Sequence, residues 1–398
     1  MRASRVRGWV TCLGLVLSQG SAAGLSDRAY ERTVDLVSRL YLYPDQVDAP
    51  GLLHAAANGL ADEVDWLVIE EDGDSVWLRH GDGSAIGSVS VANMETLPEA
   101  LQSLEALVVE SGYELGDVDV RAEILKGMTS ALDRYSRLLT GERLERFDER
   151  LNGTLVGVGA TLRQDGAYLV VDEVSADGPA QRGGIVVGDV VVRIDGEPTT
   201  NMPLREATRR IRGDIDTTVV LTVERRTVEI DLTLLRAEVA VPNVVHKPLK
   251  GGVGYLAIDH FSNRTLDNLT AAIGELRAQG SASRGLVLDL RGNTGGVLRE
   301  AARSADFFVK RGLLIRTAGP DGGHVQNLQG RMDAEDSGDE PQVPLVILVD
   351  DRTASGSEIL AGALQELDRA VIVGTRTYGK GTVQKLYTLE EAARKTRD

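Results

Sequence analysis

The chain reads as a multidomain α+β protein, and three observations predict this. Its 398 residues exceed what one hydrophobic core ordinarily supports. Helix-spaced apolar patterns and strand-like apolar runs fall in separate blocks along the chain. Glycine clusters at Gly157/Gly159 and Gly183/Gly184 punctuate a β-rich middle. The expected organisation is an N-terminal segment 1–23 and a mainly helical region 24–150 with a small β meander. A β-sandwich-like unit with two helices, 151–240, and an α/β unit, 241–398, follow.

Arg2, Arg5 and Arg7 form a basic start, an apolar run follows from Trp9 to Leu17, and small residues stand at Ser21, Ala22 and Ala23. That order predicts a secretory signal cut near Ala23, and so an exported protein, periplasmic or secreted. An uncut membrane anchor is the alternative, which the shortness of the run disfavours. Cys12 is the single cysteine and lies inside this segment. A mature chain without it would have no thiol nucleophile, disulfide framework or cysteine zinc site. The net charge of -16 argues against nucleic acid or an anionic membrane surface as partner.

Residues 26–42 place Val34, Leu36, Val37 and Leu40 at helical spacing. The runs VDWLVIEE, SVWLRH and SAIGSVSV within 64–92, separated by Asp/Gly turns, predict a meander. Helical patterning returns over 97–147, and no chemistry attaches to 24–150, which read as a cap or docking region. In the last unit, GLVLDL, PLVILV and AVIVG have the length and composition of buried strands, with a helix at 357–367 between two of them. The acidic run 333–340 reads as a solvated loop without calcium-ligand spacing.

Three segments could carry chemistry. In TASGSEI (353–359), Ser355 would sit on a tight strand-to-helix turn, with the Gly356 N–H aimed at whatever bonds to its oxygen. The same serine followed by Glu358 is also a capping box, which needs no catalysis. In YGKGTVQ (378–384), Lys380 could serve as a base if burial disfavours its charge, and on a strand Gln384 shares its face. A solvated surface lysine is the alternative. GTRTYGKGT (374–382) also approximates a phosphate-binding loop, but Gly381 occupies the hydroxyl position and a strand-like run follows. In DLRGNTGG (289–296), paired glycines end a strand and could turn an N–H toward a reaction centre.

Together and in this order, DLRGNTGG, TASGSEILAGALQ and GTRTYGKGTVQ resemble the carboxyl-terminal processing (tail-specific) proteases, the S41-type serine peptidases. The strand VGYLAIDHFSNRT (253–265) and the segment GMTSALDRYSRLL (127–139) are similar to parts of the same family. The resemblance implies a crotonase/ClpP-like protease domain with Ser355 as nucleophile, Lys380 as general base and Gln384 orienting the lysine. It implies an oxyanion hole from the backbone of Gly356 and of Gly295 or its neighbour. Residues 155–235 resemble a PDZ domain, with Gly157, Val158, Gly159 and Ala160 in its carboxylate-binding loop and 203–213 as the helix beside the groove.

The implied activity is cleavage of exported proteins recognised by apolar C-terminal tails, without metal or organic cofactor. Partners would be protein and peptide substrates, with an adaptor protein admissible and the oligomeric state left open. Relatives of this type usually continue beyond the lysine strand, whereas LEEAARKTRD (389–398) does not match that continuation. The alternative reading is therefore an inactive or truncated PDZ-containing peptide binder, and nucleotide binding at 374–382 is a remote third.

Overall fold

The computed structural model describes residues 9–18, 25–26, 28–41, 43–318, 330–335 and 342–389. The cleavage site expected near Ala23, most of the acidic run 333–340 and the polar ending after Leu389 lie outside the described residues. The fold is multidomain α+β, built around three clusters of buried apolar side chains.

The first cluster gathers the helices Ala29–Leu40, Ala49–Ala61, Leu97–Glu110 and Val120–Ser130. Asp48 and Asp119 start two of them by accepting the backbone N–H of Gly51 and Ala122. The antiparallel meander Leu67–Asp72, Ser75–His80 and Ala85–Ser90 buries Val76, Leu78 and Val89 against these helices. The last described strand, Thr382–Thr388, leads into this core. Leu389 is buried there, Tyr387 packs against it, and Arg32 donates to the Leu389 carbonyl at 2.9 Å.

In the middle unit, a six-stranded sheet has Ala160–Asp165 and Val228–Leu235 at the two ends of its main path. The helices Pro179–Arg182 and Leu204–Ile211 accompany it. Asp189, whose side chain is fully buried, accepts two hydrogen bonds from Arg225, at 2.7 and 2.8 Å. Burial opposes ionisation of that carboxyl, but the Arg225 and Val186 N–H donors prevail and hold it below the usual carboxylate range.

The third cluster lies on a five-stranded sheet in the order Val244–Leu249, Val253–Ile258, Gly285–Asp289, Leu345–Val349, Ala370–Gly374. Its first pair is antiparallel and the rest are parallel. The three apolar runs expected as buried strands occupy its centre and one edge. The helices Thr265–Ala278, Leu298–Asp306 and Gly356–Glu366 pack on it. Parallel strands of this kind place reactive loops at their C-terminal ends.

The apolar run expected as an export signal is described as a strand, Trp9–Ser18. It pairs in parallel with Leu313–Ala318, Thr382–Thr388 and Arg137–Leu139. The stretch WVTCLGLVLS, apolar apart from Thr11, Gly14 and Ser18, fits the pattern of a parallel strand as well as that of a signal core.

Candidate active site

Two loops meet beyond the ends of the Gly285–Asp289 and Leu345–Val349 strands. Asp350 joins them by accepting the N–H of Gly292 (2.9 Å) from one loop and of Thr353 (3.0 Å) from its own. The Thr353 hydroxyl returns a hydrogen bond to the Leu290 carbonyl (2.9 Å). Asn293 completes the seam: its carbonyl accepts from Ala354 N–H and from the buried Ser357 hydroxyl, both at 3.0 Å. These bonds fix the turn that carries Ser355.

Ser355 adopts φ 55° and ψ -117°, a left-handed conformation that costs a side-chain-bearing residue about 1–3 kcal/mol. The strain lies at the junction between strand and helix, where it presents the hydroxyl instead of burying it in the helical turn. Glu358, expected only as a capping partner, has a wider role. Its carboxylate accepts four hydrogen bonds: Ser355 N–H (2.8 Å), Lys380 N–H (2.9 Å), Gly379 N–H (2.7 Å) and the Thr377 hydroxyl (2.7 Å). One carboxylate thus holds the serine turn and the lysine loop together. That loop runs into a strand, Thr382–Thr388, and two of its N–H groups already serve Glu358. The phosphate-loop reading therefore finds neither the helix nor the free donors it needs.

The Lys380 amine, in the loop just before the strand Thr382–Thr388, donates to Gln384 Oε1 at 2.6 Å, so the two side chains meet as expected although only Gln384 is on the strand. No hydrogen bond joins the amine to the Ser355 hydroxyl among the described residues. Burial pushes the amine below the ordinary lysine value, with Tyr135 opposing the shift and Arg137 adding to it. The native state therefore binds fewer protons than the unfolded chain between the lowered value and about 10.4. Stability rises with pH across that window. Lys380→Met is expected to raise the thermal midpoint most below the window and progressively less toward its top, as read by calorimetry from neutral to alkaline pH.

Of the backbone N–H groups expected to face the reaction centre, those of Gly356 and of the neighbour of Gly295 are open, and that of Gly295 itself is not. The Gly295 N–H is committed to Asn293 Oδ1 at 2.8 Å and is turned away from Ser355. Its neighbour Gly296 and the first helical residue, Gly356, have N–H groups without an acceptor among the described residues. The reason is local geometry: Gly296 has φ 146°, and a Cβ there would lie 2.1 Å from the Phe261 carbonyl oxygen. Gly295 instead provides the close approach, since a Cβ on it would meet the Ser355 Cβ at 2.8 Å.

In the middle unit, Gly157, Val158 and Gly159 lead into the edge strand that begins at Ala160. The carbonyls of Val158 and Gly159 turn inward onto the N–H groups of Ala180 (2.7 Å) and Ser175 (2.8 Å). Their own N–H groups have no acceptor among the described residues. An open strand edge next to a loop of unpaired donors, with the helix Leu204–Ile211 alongside, has the form of a site for an extended peptide ending in a carboxylate.

Residues 252–396 match the model of peptidase family S41, and residues 170–225 match that of a PDZ domain. The chain thus has an S41 peptidase match over its C-terminal part and a PDZ match in its middle. It is 32% identical over 271 residues to the "Carboxy-terminal-processing protease" of Bartonella bacilliformis, covering 67% of this chain and 61% of that one. It is 32% identical over 310 residues to "Carboxy-terminal processing protease CtpA" of Bacillus subtilis, covering 76% and 64%. Against the "Probable CtpA-like serine protease" of Staphylococcus aureus it is 34% identical over 303 residues, covering 76% and 59%. The chain thus spans about three fifths of the length of these curated relatives.

Proposed function

We propose that the chain is a serine endopeptidase that captures the C-terminal tail of an exported protein in its PDZ domain and cleaves with Ser355 and Lys380. The observation that carries this reading is the Glu358 carboxylate, which grips the backbone of both residues at once. A conformationally strained serine and a partly buried lysine are thereby held in one site.

In the reaction, Ser355 Oγ attacks a peptide carbonyl while its proton passes to the neutral Lys380 amine. Gln384 orients that amine, and the N–H groups of Gly356 and Gly296 receive the developing oxyanion. Collapse of the tetrahedral adduct releases the amine product, which takes the proton back from Lys380. Water then resolves the acyl-enzyme by the same steps. Because the amine acts neutral, kcat/KM rises with pH through a lysine value depressed by burial. Export directed by residues 1–23 belongs to the same reading.

A second reading is peptide capture without turnover, and the observation favouring it is that the amine donates to Gln384, with no hydrogen bond from it to the Ser355 hydroxyl among the described residues. One experiment separates them. The purified protein, Ser355→Ala and Lys380→Ala are incubated with an unfolded, apolar-tailed substrate and, separately, with a fluorophosphonate. Cleavage and labelling by the native protein alone support the peptidase. Binding of the tail with neither cleavage nor labelling supports the second reading, and cleavage that survives both substitutions rules out these roles.

A further inference from the structure

The segment LDRYS near the end of the N-terminal region reaches the catalytic lysine. Asp133 builds a tight turn there by accepting the N–H of Tyr135 (2.7 Å), the N–H of Ser136 (2.9 Å) and the Ser136 hydroxyl (2.7 Å). The turn is anchored below, where the Tyr41 hydroxyl donates to the Leu132 carbonyl at 2.6 Å, and Leu132 and Leu138 are buried in the N-terminal core. Tyr135 is therefore fixed at its backbone and projects from a packed base.

Its ring lies against the lysine. The Lys380 Nζ is 4.2 Å from the ring centroid, while the same amine donates to Gln384 Oε1 at 2.6 Å. An ammonium or amine held between a carbonyl oxygen and an aromatic face has few other positions open to it. The ring is itself held: Arg134 donates to the Tyr135 hydroxyl at 2.5 Å, with its guanidinium carbon 4.8 Å from the ring centroid, and that hydroxyl lies 3.4 Å from the Tyr378 hydroxyl. Tyr378 belongs to the lysine loop, so the two segments grip each other at both ends of the contact.

We propose that Tyr135 is a positioning residue for the Lys380 amine, its ring face and Gln384 together holding the nitrogen for proton transfer with Ser355. The inference rests on the peptidase reading and adds to it a part supplied by the N-terminal region. The ring, more than the hydroxyl, does the work, because the ring face is what meets the nitrogen. The residue acts through Lys380 and not on the substrate, so its loss changes turnover rather than binding.

The test compares Tyr135→Phe and Tyr135→Leu with the native protein and Ser355→Ala, all as full chains with their melting temperatures recorded. Expected for Tyr135→Leu is a fall of about 10- to 100-fold in kcat, with KM within about twofold and a displaced acid limb of the kcat/KM profile. Tyr135→Phe is expected to stay within about threefold. A readout free of turnover accompanies these: in 13C-lysine-labelled protein the Lys380 ε-methylene protons should show an upfield ring-current shift, kept in Tyr135→Phe and lost in Tyr135→Leu. An unshifted Lys380 resonance in the native protein, full activity in folded Tyr135→Leu, or equal damage from both substitutions overturns the inference. Hydrolysis that persists in Ser355→Ala, or an inactive native protein, instead removes the peptidase reading on which it rests.

Discussion

Replacing Ser355 by glycine is expected to abolish peptide hydrolysis and, in the same protein, to raise the stability of the fold. The two effects share one cause. At φ 55° and ψ -117° the serine pays a conformational penalty that a residue without Cβ escapes. The gain, after the extra chain entropy of glycine in the unfolded state, is about 1 kcal/mol. The loss of the nucleophile removes on the order of 10⁴-fold or more of the rate. Denaturant titration beside a cleavage assay measures both. A Ser355→Gly protein that is inactive but clearly less stable than the native one would mean that the turn is not strained toward presenting its hydroxyl. Ser355→Ala serves as the comparison, since it loses the hydroxyl and keeps the strain.

Glu358→Gln is expected to cost both turnover and stability, although Glu358 takes no part in the chemistry. Each carboxylate oxygen accepts two hydrogen bonds, one pair from Thr377 and Gly379 and the other from Ser355 and Lys380. An amide side chain presents NH₂ to one of these pairs, leaving donors facing a donor. Hydrogen bonds to a charged acceptor contribute about 1.5–3 kcal/mol each, so a loss of about 3 kcal/mol in stability is expected. Because the carboxylate sets the separation of the serine turn and the lysine loop, kcat should fall about 100-fold or more, by misplacement alone. Tail binding by the PDZ domain, measured by fluorescence anisotropy, should be unchanged. A Glu358→Gln protein with native turnover would show that the two loops keep their register without this carboxylate.

What could be read in advance follows physical range. The strands Gly285–Asp289 and Leu345–Val349 were legible because a parallel strand buried on both faces leaves a continuous apolar run. Ala370–Gly374 has the same run and was expected to be buried, but it lies at the sheet edge and leaves Val371 and Val373 exposed. The helix Gly356–Glu366 and the meeting of Lys380 and Gln384 were legible because period and capping are local properties. The choice between Gly295 and Gly296 was not, since it depends on which way successive peptide planes face, and letters do not encode that. The reach of Glu358 to Gly379 and Lys380 was hidden behind a sufficient local explanation, the capping box. Tyr135 was quoted as part of a similar segment, yet its contact with Lys380 joins parts of the chain that only tertiary packing brings together. The region 24–150, read as a cap without chemistry, supplies that contact.

The burial of Leu389 among the N-terminal helices bears on how this protein can be divided. The strand that carries Gln384 continues into a core made by residues from the opposite end of the chain, and Arg32 closes over its last described carbonyl. A recombinant fragment starting near Val241 would hold every atom of the serine, lysine and glutamine side chains. It would nonetheless leave Tyr387 and Leu389 in water and the lysine strand anchored at one end only. Minimal versions for crystallography or engineering should therefore lose the PDZ domain as an internal excision and keep the N-terminal helices.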